Sequence, residues 1–324
     1  MLMEANTING IINVRKEKGF TSHDVVAKLR GILHTRKIGH TGTLDPMAEG
    51  VLPVCIGGAT KLCESFTEHN KEYIATLRLG EVYDTQDVTG ELLEQREVTV
   101  DEAEFITAVK SFIGGYEQIP PMYSAKKVDG KKLYELARKG QTVERKPVFV
   151  DIFDIEVLDL VIPNATIRVR CGKGTYIRTL IADIGEKLGC GASMESLTRT
   201  EVGDFNIKDS HSLAEIEKAA AENKITDVTI EVEQIFASLK RLDADEKLTK
   251  ALRNGNVLRV GDFALRNANA NANASANANA NANAEGCGLA DGEKVRIYDC
   301  DGKFVAVYEY KKTSDILKAY KMFL

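Results

Sequence analysis

The chain has 324 residues, 44% of them hydrophobic, and a formal net charge of −5 at pH 7. That size and composition suit a soluble protein with one large domain and a small one. They exclude a chain that is basic throughout, so any contact with nucleic acid must rest on a local basic face. No apolar run is long enough to cross a bilayer as a helix. The opening MLMEANTINGIINVRKEKGF lacks the apolar core and cleavage site of a signal peptide, so the cytoplasm is the expected location.

Residues 8–14 (INGIINV) read as a first strand. Thr21 or Ser22 then caps a helix to about Leu33, with Val25, Val26 and Leu29 on one face. Next comes GHTGTLDPMAEGVLPVCIGGATK, Gly39 to Lys61. It gathers Gly39, Gly42, Gly50, Gly57 and Gly58 around one acid, Asp45, placed before Pro46. The proline ring biases Asp45 toward an extended backbone, so its carboxylate is presented from a stiff loop. Such a loop suits a nucleophile or base that must meet its substrate in one geometry. The plainer reading is a glycine-rich turn, which the length of the string disfavours.

Residues 71–80 (KEYIATLRLG) alternate as a strand, with Tyr73 on the apolar face. On periodicity alone Tyr73 is a core aromatic. EVYDTQDVTG, residues 81–90, reads as an acidic turn, and 101–113 as an amphipathic helix. From 120 to 146 the sequence PPMYSAKKVDGKKLYELARKGQTVERK supplies the missing basic face. It carries Lys126, Lys127, Lys131, Lys132, Arg138, Lys139, Arg145 and Lys146, interleaved with Tyr123 and Tyr134. Clustered cations of this kind bind phosphates or form a solvated charged face, and the residues alone favour neither reading.

Residues 148–158 and 165–171 read as strands. Thr175 is the expected cap of a helix with Ile177, Leu180, Ile181 and Ile184 on its apolar side, and Arg178 in its first turns. Helices are expected at 212–222 and 230–240, with a domain boundary near Leu242. In the C-terminal part, Asp301-Gly302 reads as the turn of a hairpin between Val295–Tyr298 and Lys303–Tyr308. Asn267 to Ala284 is an Asn-Ala alternation broken by Ser275, with no large apolar side chain to bury. It reads as a disordered insertion in a surface loop. The six cysteines form no C-x-x-C pair, which points to buried free thiols rather than zinc or a redox pair.

The string around Asp45 resembles the signature of the TruB family of tRNA pseudouridine synthases, GHTG-x-LDP-x-A-x-G-x-LP-x-x-x-G-x-ATK. Other segments resemble the family as well: K-E-K-G-F-T-S at 16–22 (with Glu17 where proline is common), PPMYSA-x-K, GTYIRTL and SLTRTEVGDF. The resemblance covers nearly the whole chain except the Asn-Ala tract. It implies an α+β pseudouridine-synthase fold with a mixed, largely antiparallel central sheet, spanning 1–242. A small β-rich PUA-like RNA-binding domain follows at 243–324.

The implied activity is isomerisation of uridine 55 in the T-loop of tRNA, without cofactor or metal, by a monomer that needs no protein partner. The implied catalytic residues are Asp45, Tyr73 (stacked on the target base) and Arg178, whose charge keeps Asp45 ionised. His40 is implied to contact the RNA, Asp87 to pair with Arg178, and Leu197 to line the base pocket, with Arg199 structural or facing RNA. Lys126, Lys127, Lys131 and Lys132 are implied to clamp the T-arm. Two alternatives remain: a guide-RNA-dependent synthase resembling dyskerin, and a tRNA-folding module whose chemistry is secondary.

Overall fold

The computed structural model describes residues 8–124, 126–128, 130–263 and 288–323, with Lys127 described by its backbone only. The Asn267–Ala284 tract and Cys287 lie outside these residues. The fold is α+β, in two compact units. One comprises residues 11–56 and 62–229; the other groups 8–10 and 57–61 with the described residues from Ile230 onward. The boundary expected near Leu242 falls inside the second unit.

In the first unit, β1 (Gly10–Lys16), α1 (Ser22–Ile32), β2 (Ile38–His40), β3 (Glu49–Ile56) and β4 (Lys71–Leu79) come first. Then follow α2 (Glu102–Lys110), β5 (Ile152–Val161), β6 (Asn164–Cys171), α3 (Ile177–Lys187), β7 (Ala192–Val202) and α4 (Leu213–Ala221). The sheet runs in the order β5-β6-β4-β7-β3-β1, with β2 against β3. The pairs from β5 to β7 are antiparallel, and β7 meets β3 in parallel. Thr21 caps α1 through a capping box with Asp24, which satisfies two otherwise orphaned donors.

The alternation read in β4 is real: Tyr73, Ala75, Leu77 and Leu79 are buried, between more exposed neighbours. They join Phe105 and Val109 of α2, and Ile177, Leu180, Ile181 and Ile184 of α3, in one core. Each Leu, Ile, Val or Phe among them contributes about 1.5–3 kcal/mol when fully buried. Gly50 permits the parallel contact of β3 with β7, because a Cβ there would stand 2.2 Å from the Arg199 carbonyl oxygen.

Two local expectations need correction. The N-cap of α3 is Tyr176, not Thr175, and no side chain caps it; the Thr175 hydroxyl instead donates to the Gly172 carbonyl at 3.1 Å. Of residues 230–240 only Val232–Ile235 is helical. In the basic stretch a two-residue ladder, Lys127–Val128 with Lys131–Lys132, precedes a short helix, Leu133–Ala137.

The second unit contains β8 (Lys240–Asp243), α5 (Glu246–Arg253), β9 (Leu258–Arg259), β10 (Lys294–Tyr298), β11 (Phe304–Lys311) and β12 (Ile316–Met322). Its sheet runs β8-β10-β11-β12-β9. The β10–β11 hairpin turns through Gly302 at φ +76°. Asp299 Oδ1 accepts from the Asp301 and Lys303 amides at 3.1 and 2.9 Å, which sets that turn. Cys55, Cys171 and Cys190 are buried as expected, but Cys63 is partly exposed and Cys300 is exposed.

Candidate active site

Asp45 sits on a loop held by side chains from separate segments. Ser22, fully buried at the start of α1, accepts from the Leu44 amide at 2.9 Å and donates to the Leu44 carbonyl at 3.3 Å. Beyond Asp45, the Lys16 ammonium donates to the carbonyls of Ala48 (2.5 Å), Glu17 (3.0 Å) and Pro46 (3.4 Å). The Gly19 amide donates to the same Pro46 carbonyl at 2.8 Å. Arg199 reaches the Gly42 carbonyl at 3.3 Å and the Val51 carbonyl at 2.7 Å. Buried backbone groups need partners, and here they obtain them from residues that also fix the loop in place.

Arg178, buried in the first turn of α3, gathers the surrounding segments. Its Nε lies 3.0 Å from Asp45 Oδ2, and Nη1 lies 3.3 Å from Asp87 Oδ2. Nη1 also donates to the Thr85 carbonyl at 2.7 Å, and Nη2 to the Tyr123 carbonyl at 2.9 Å. The rigid fork of a guanidinium suits such multiple pairing. Asp87 is itself held from the far side: its Oδ1 accepts from the Thr89 amide and hydroxyl at 3.0 and 2.5 Å and from the Thr85 hydroxyl at 3.0 Å. The Asp87 turn is tied to β7 by a bridge to Met194 and to α3 by Thr179 donating to Gln86 Oε1 at 2.8 Å.

About a third of the Asp45 side chain (34%) remains accessible, yet the surrounding protein displaces enough water to penalise its charged form. Burial therefore pushes its pKa above the usual range, Arg178 and Lys16 pull it down, and Asp87 pushes it further up. The net direction is upward: Arg178 opposes the loss of hydration without cancelling it. Lys16 is lowered to about 8 by burial, against the attraction of Asp45.

The Tyr73 ring is buried in the core that also contains Leu44, Met47 and Leu197. Tyr73 and Leu197 thus pack as core residues in the same cluster as Leu44 and Met47, which flank Asp45 in the loop. Burial raises the Tyr73 phenol, so it stays neutral. Arg199, directly opposite Tyr73 in the β4–β7 ladder, is 1% exposed; of its two expected roles it has the structural one. His40 Nδ1 accepts from the Gly42 amide at 3.3 Å, and its ring meets His23 edge-on with centroids 5.4 Å apart. Burial, then repulsion from His23 and Arg199, lowers His40 to about 4, so it is a neutral aromatic at pH 7.

Two residues of the site carry no obvious sequence signal. Gln118, 1% exposed, accepts from the Tyr176 amide at 2.8 Å and donates to the Tyr176 carbonyl at 3.0 Å. It thereby holds the uncapped end of α3 two residues before Arg178. The same amide donates to the Tyr116 hydroxyl, which donates to Asp183 of α3, both at 2.7 Å. Lys16 stood in a quoted motif, but nothing in its spacing marks it as a clamp.

In the basic stretch Lys131, Arg138, Lys139 and Lys146 are exposed and Lys126 is half-buried. Lys132 donates to the Tyr134 hydroxyl at 3.3 Å, and Arg138 lies over the Tyr134 ring at 5.4 Å. Arg145 instead turns inward to the Pro120 carbonyl at 3.1 Å. Among the described residues no group of three or more His, Cys, Asp or Glu is placed to hold a metal ion.

Residues 30–177 match the family model of the TruB family pseudouridylate synthase N-terminal domain, and 178–245 match the tRNA pseudouridylate synthase B C-terminal domain. The chain is 45% identical to tRNA pseudouridine synthase B of Lachnoclostridium phytofermentans, over 98% of this chain and all of that one. It is 38% identical to the Bacillus pumilus protein of the same name over 97% of each. Its fold resembles a chain of a crystallised Cbf5-Nop10-Gar1 complex, with a TM-score of 0.67 and 26% identity over 99% of this chain and 86% of that one. By these matches over almost its full length, the chain belongs to the TruB family of pseudouridylate synthases, which are isomerases.

Proposed function

We propose that the chain converts uridine 55 in the T-loop of tRNA to pseudouridine, with Asp45 as the catalytic carboxylate acting on a flipped-out nucleotide. The observation that carries this reading is the strapped Asp45 loop, whose one carboxylate faces Arg178 at 3.0 Å, with Tyr73 and Leu197 in the core cluster that its neighbours Leu44 and Met47 join. In the reaction the bond from the sugar carbon to uracil nitrogen breaks, the base turns, and a bond to a ring carbon forms. That carbon loses a proton and the nitrogen gains one, so no electrons enter or leave. A carboxylate can attack the sugar, attack the base or take a sugar proton, and each step requires the ionised form. Arg178 favours that form and, beside the substrate phosphate, orients the nucleotide. Tyr73 offers a neutral aromatic face to an extruded base, and Leu197 closes the apolar side. His40, being neutral, meets the RNA as a ring rather than as a cation. Asp87 holds Arg178, and Lys126, Lys127, Lys131 and Lys132 meet T-arm phosphates.

In this reading residues 1–242 form the catalytic domain, and 243–324 form a PUA-like domain that adds RNA contacts. The protein acts in the cytoplasm as a monomer. The test is purified protein on an unmodified tRNA transcript with nothing added, and chemical mapping of the T-loop. Pseudouridine at position 55 supports the reading. Turnover only with a guide RNA and partner proteins would favour the second reading, for which the likeness to a chain crystallised with Nop10 and Gar1 speaks. Binding without turnover would leave a tRNA-folding module.

A further inference from the structure

Gly39 and Cys55 face each other across the β2–β3 ladder. Directly opposed side chains in such a pair have Cβ atoms about 4.5–5.5 Å apart, but Gly39 has none. The sulfur of Cys63 fills the gap: a Cβ built on Gly39 would lie 3.0 Å from it. Cys55 and Cys63 thus meet at the same glycine gap, and each perturbs the titration of the other. Cys55 is fully buried, whereas Cys63, at the start of the short helix Cys63–Thr67, is partly exposed. Eight residues apart in sequence, they escape a search for C-x-x-C spacing.

We propose that Cys55 and Cys63 form an oxidisable dithiol beside the catalytic loop, a modification site for peroxides whose closure to a disulfide reversibly lowers turnover. The Cys63 thiolate attacks one peroxide oxygen, the O–O bond breaks, and a sulfenic acid and hydroxide result. The Cys55 sulfur, giving up its proton, then attacks the Cys63 sulfur, and the S–O bond breaks with release of water. Two thiols lose two electrons, and one peroxide becomes two waters. The neighbouring Cys55 holds the Cys63 thiol below its usual range, which favours the first step.

A disulfide holds its sulfurs about 2.05 Å apart, closer than two unbonded thiols can stand, so one carrier must move. Cys55 is fixed in the β2–β3 ladder, which leaves the helix of Cys63. That helix is tied to the catalytic loop: the Thr67 hydroxyl donates to the Thr41 carbonyl at 3.2 Å. Thr41 lies between His40 and Gly42, so closing the bond pulls on the loop that presents Asp45. Displacing a catalytic group by about 1 Å can cost roughly 100-fold in rate.

The experiment uses the full chain with Cys287→Ser and Cys300→Ser, treated with hydrogen peroxide. Trypsin cleaves at Lys61 and so separates the two cysteines. The expected results are loss of two thiols, a disulfide linking the two peptides, and a turnover loss of about tenfold or more that dithiothreitol reverses. Cys63→Ser and, separately, Cys55→Ala should keep their turnover through the same treatment. No linked peptide, or Cys63 driven to sulfinic acid, overturns the dithiol. A linked peptide with unchanged turnover, or equal loss in Cys63→Ser, overturns the control of activity. Thiol counting and peptide linkage do not depend on the substrate assigned above, so failure of that assignment is read separately.

Discussion

The Arg178 guanidinium touches both carboxylates of the site, Asp45 at 3.0 Å and Asp87 at 3.3 Å. One cation shared by two acids neutralises neither fully, and Asp87 adds to the burial that raises Asp45. Asp87→Asn keeps the shape of the turn while removing its charge. It should lower the Asp45 pKa, since a repelling anion is gone and Arg178 is left to Asp45. The acid limb of kcat/KM, which reports ionisation of the free enzyme, should therefore move to lower pH. A limb that stays in place or moves up would separate Asp87 from Asp45.

Asp45→Asn should abolish turnover, by at least about 10²–10⁴-fold, while folding and tRNA binding persist. The measurement pairs filter binding with chemical mapping of pseudouridine. Stability should also change its pH dependence. With its folded pKa above the unfolded one, Asp45 leaves the folded state holding more protons between the two values. Stability from this group thus falls as pH rises through that window. The Asn variant should lack this fall; turnover close to wild type would remove Asp45 from its assigned role.

Gln118→Met keeps the side-chain length but removes both hydrogen bonds to the Tyr176 backbone. Unpaired buried amide groups cost about 1–3 kcal/mol each, so the unfolding midpoint should fall. Gln118 acts as a positioning residue, and kcat should drop about 10- to 100-fold through the displaced Arg178. Affinity for tRNA should stay near wild type. Lower stability with unchanged kcat would restrict Gln118 to a structural role.

Replacing Lys126, Lys127, Lys131 and Lys132 by Ala together should weaken tRNA binding. It should also flatten the plot of log affinity against log salt by roughly 0.7–0.9 per lost phosphate contact. Titration at several salt concentrations measures the slope, and an unaltered slope would return the stretch to a solvated charged face.

Periodicity made the sheet legible: β4 and β6 alternate in sequence as they do in burial. The cap of α1 was narrowed to Thr21 or Ser22, and the structure gives it to Thr21. Asp45, Tyr73 and Arg178 were singled out through a motif, and the structure pairs Asp45 with Arg178, 133 positions later in the chain. The start of α3 misled because Thr175 is a good cap by type, while the real support for that end comes from Gln118, far away in sequence. Lys16 and the Cys55–Cys63 contact were hidden for the same reason: each depends on a backbone approach that only the assembled sheet creates.

The straps on the Asp45 loop make its shape a property of the whole first unit rather than of the loop's own residues. Leu44 and Ala48 amides are paired within this arrangement, the first to Ser22 and the second to the Asp45 carbonyl at 3.1 Å. Opening the loop means withdrawing Ser22 of α1 and Lys16 of β1 together, so local fraying has no inexpensive route. Both amides should then exchange with deuterium at the rate of the slowest sheet amides, through global unfolding rather than local opening. Heat inactivation should coincide with loss of the fold, and the enzyme should meet its substrate with this loop already set.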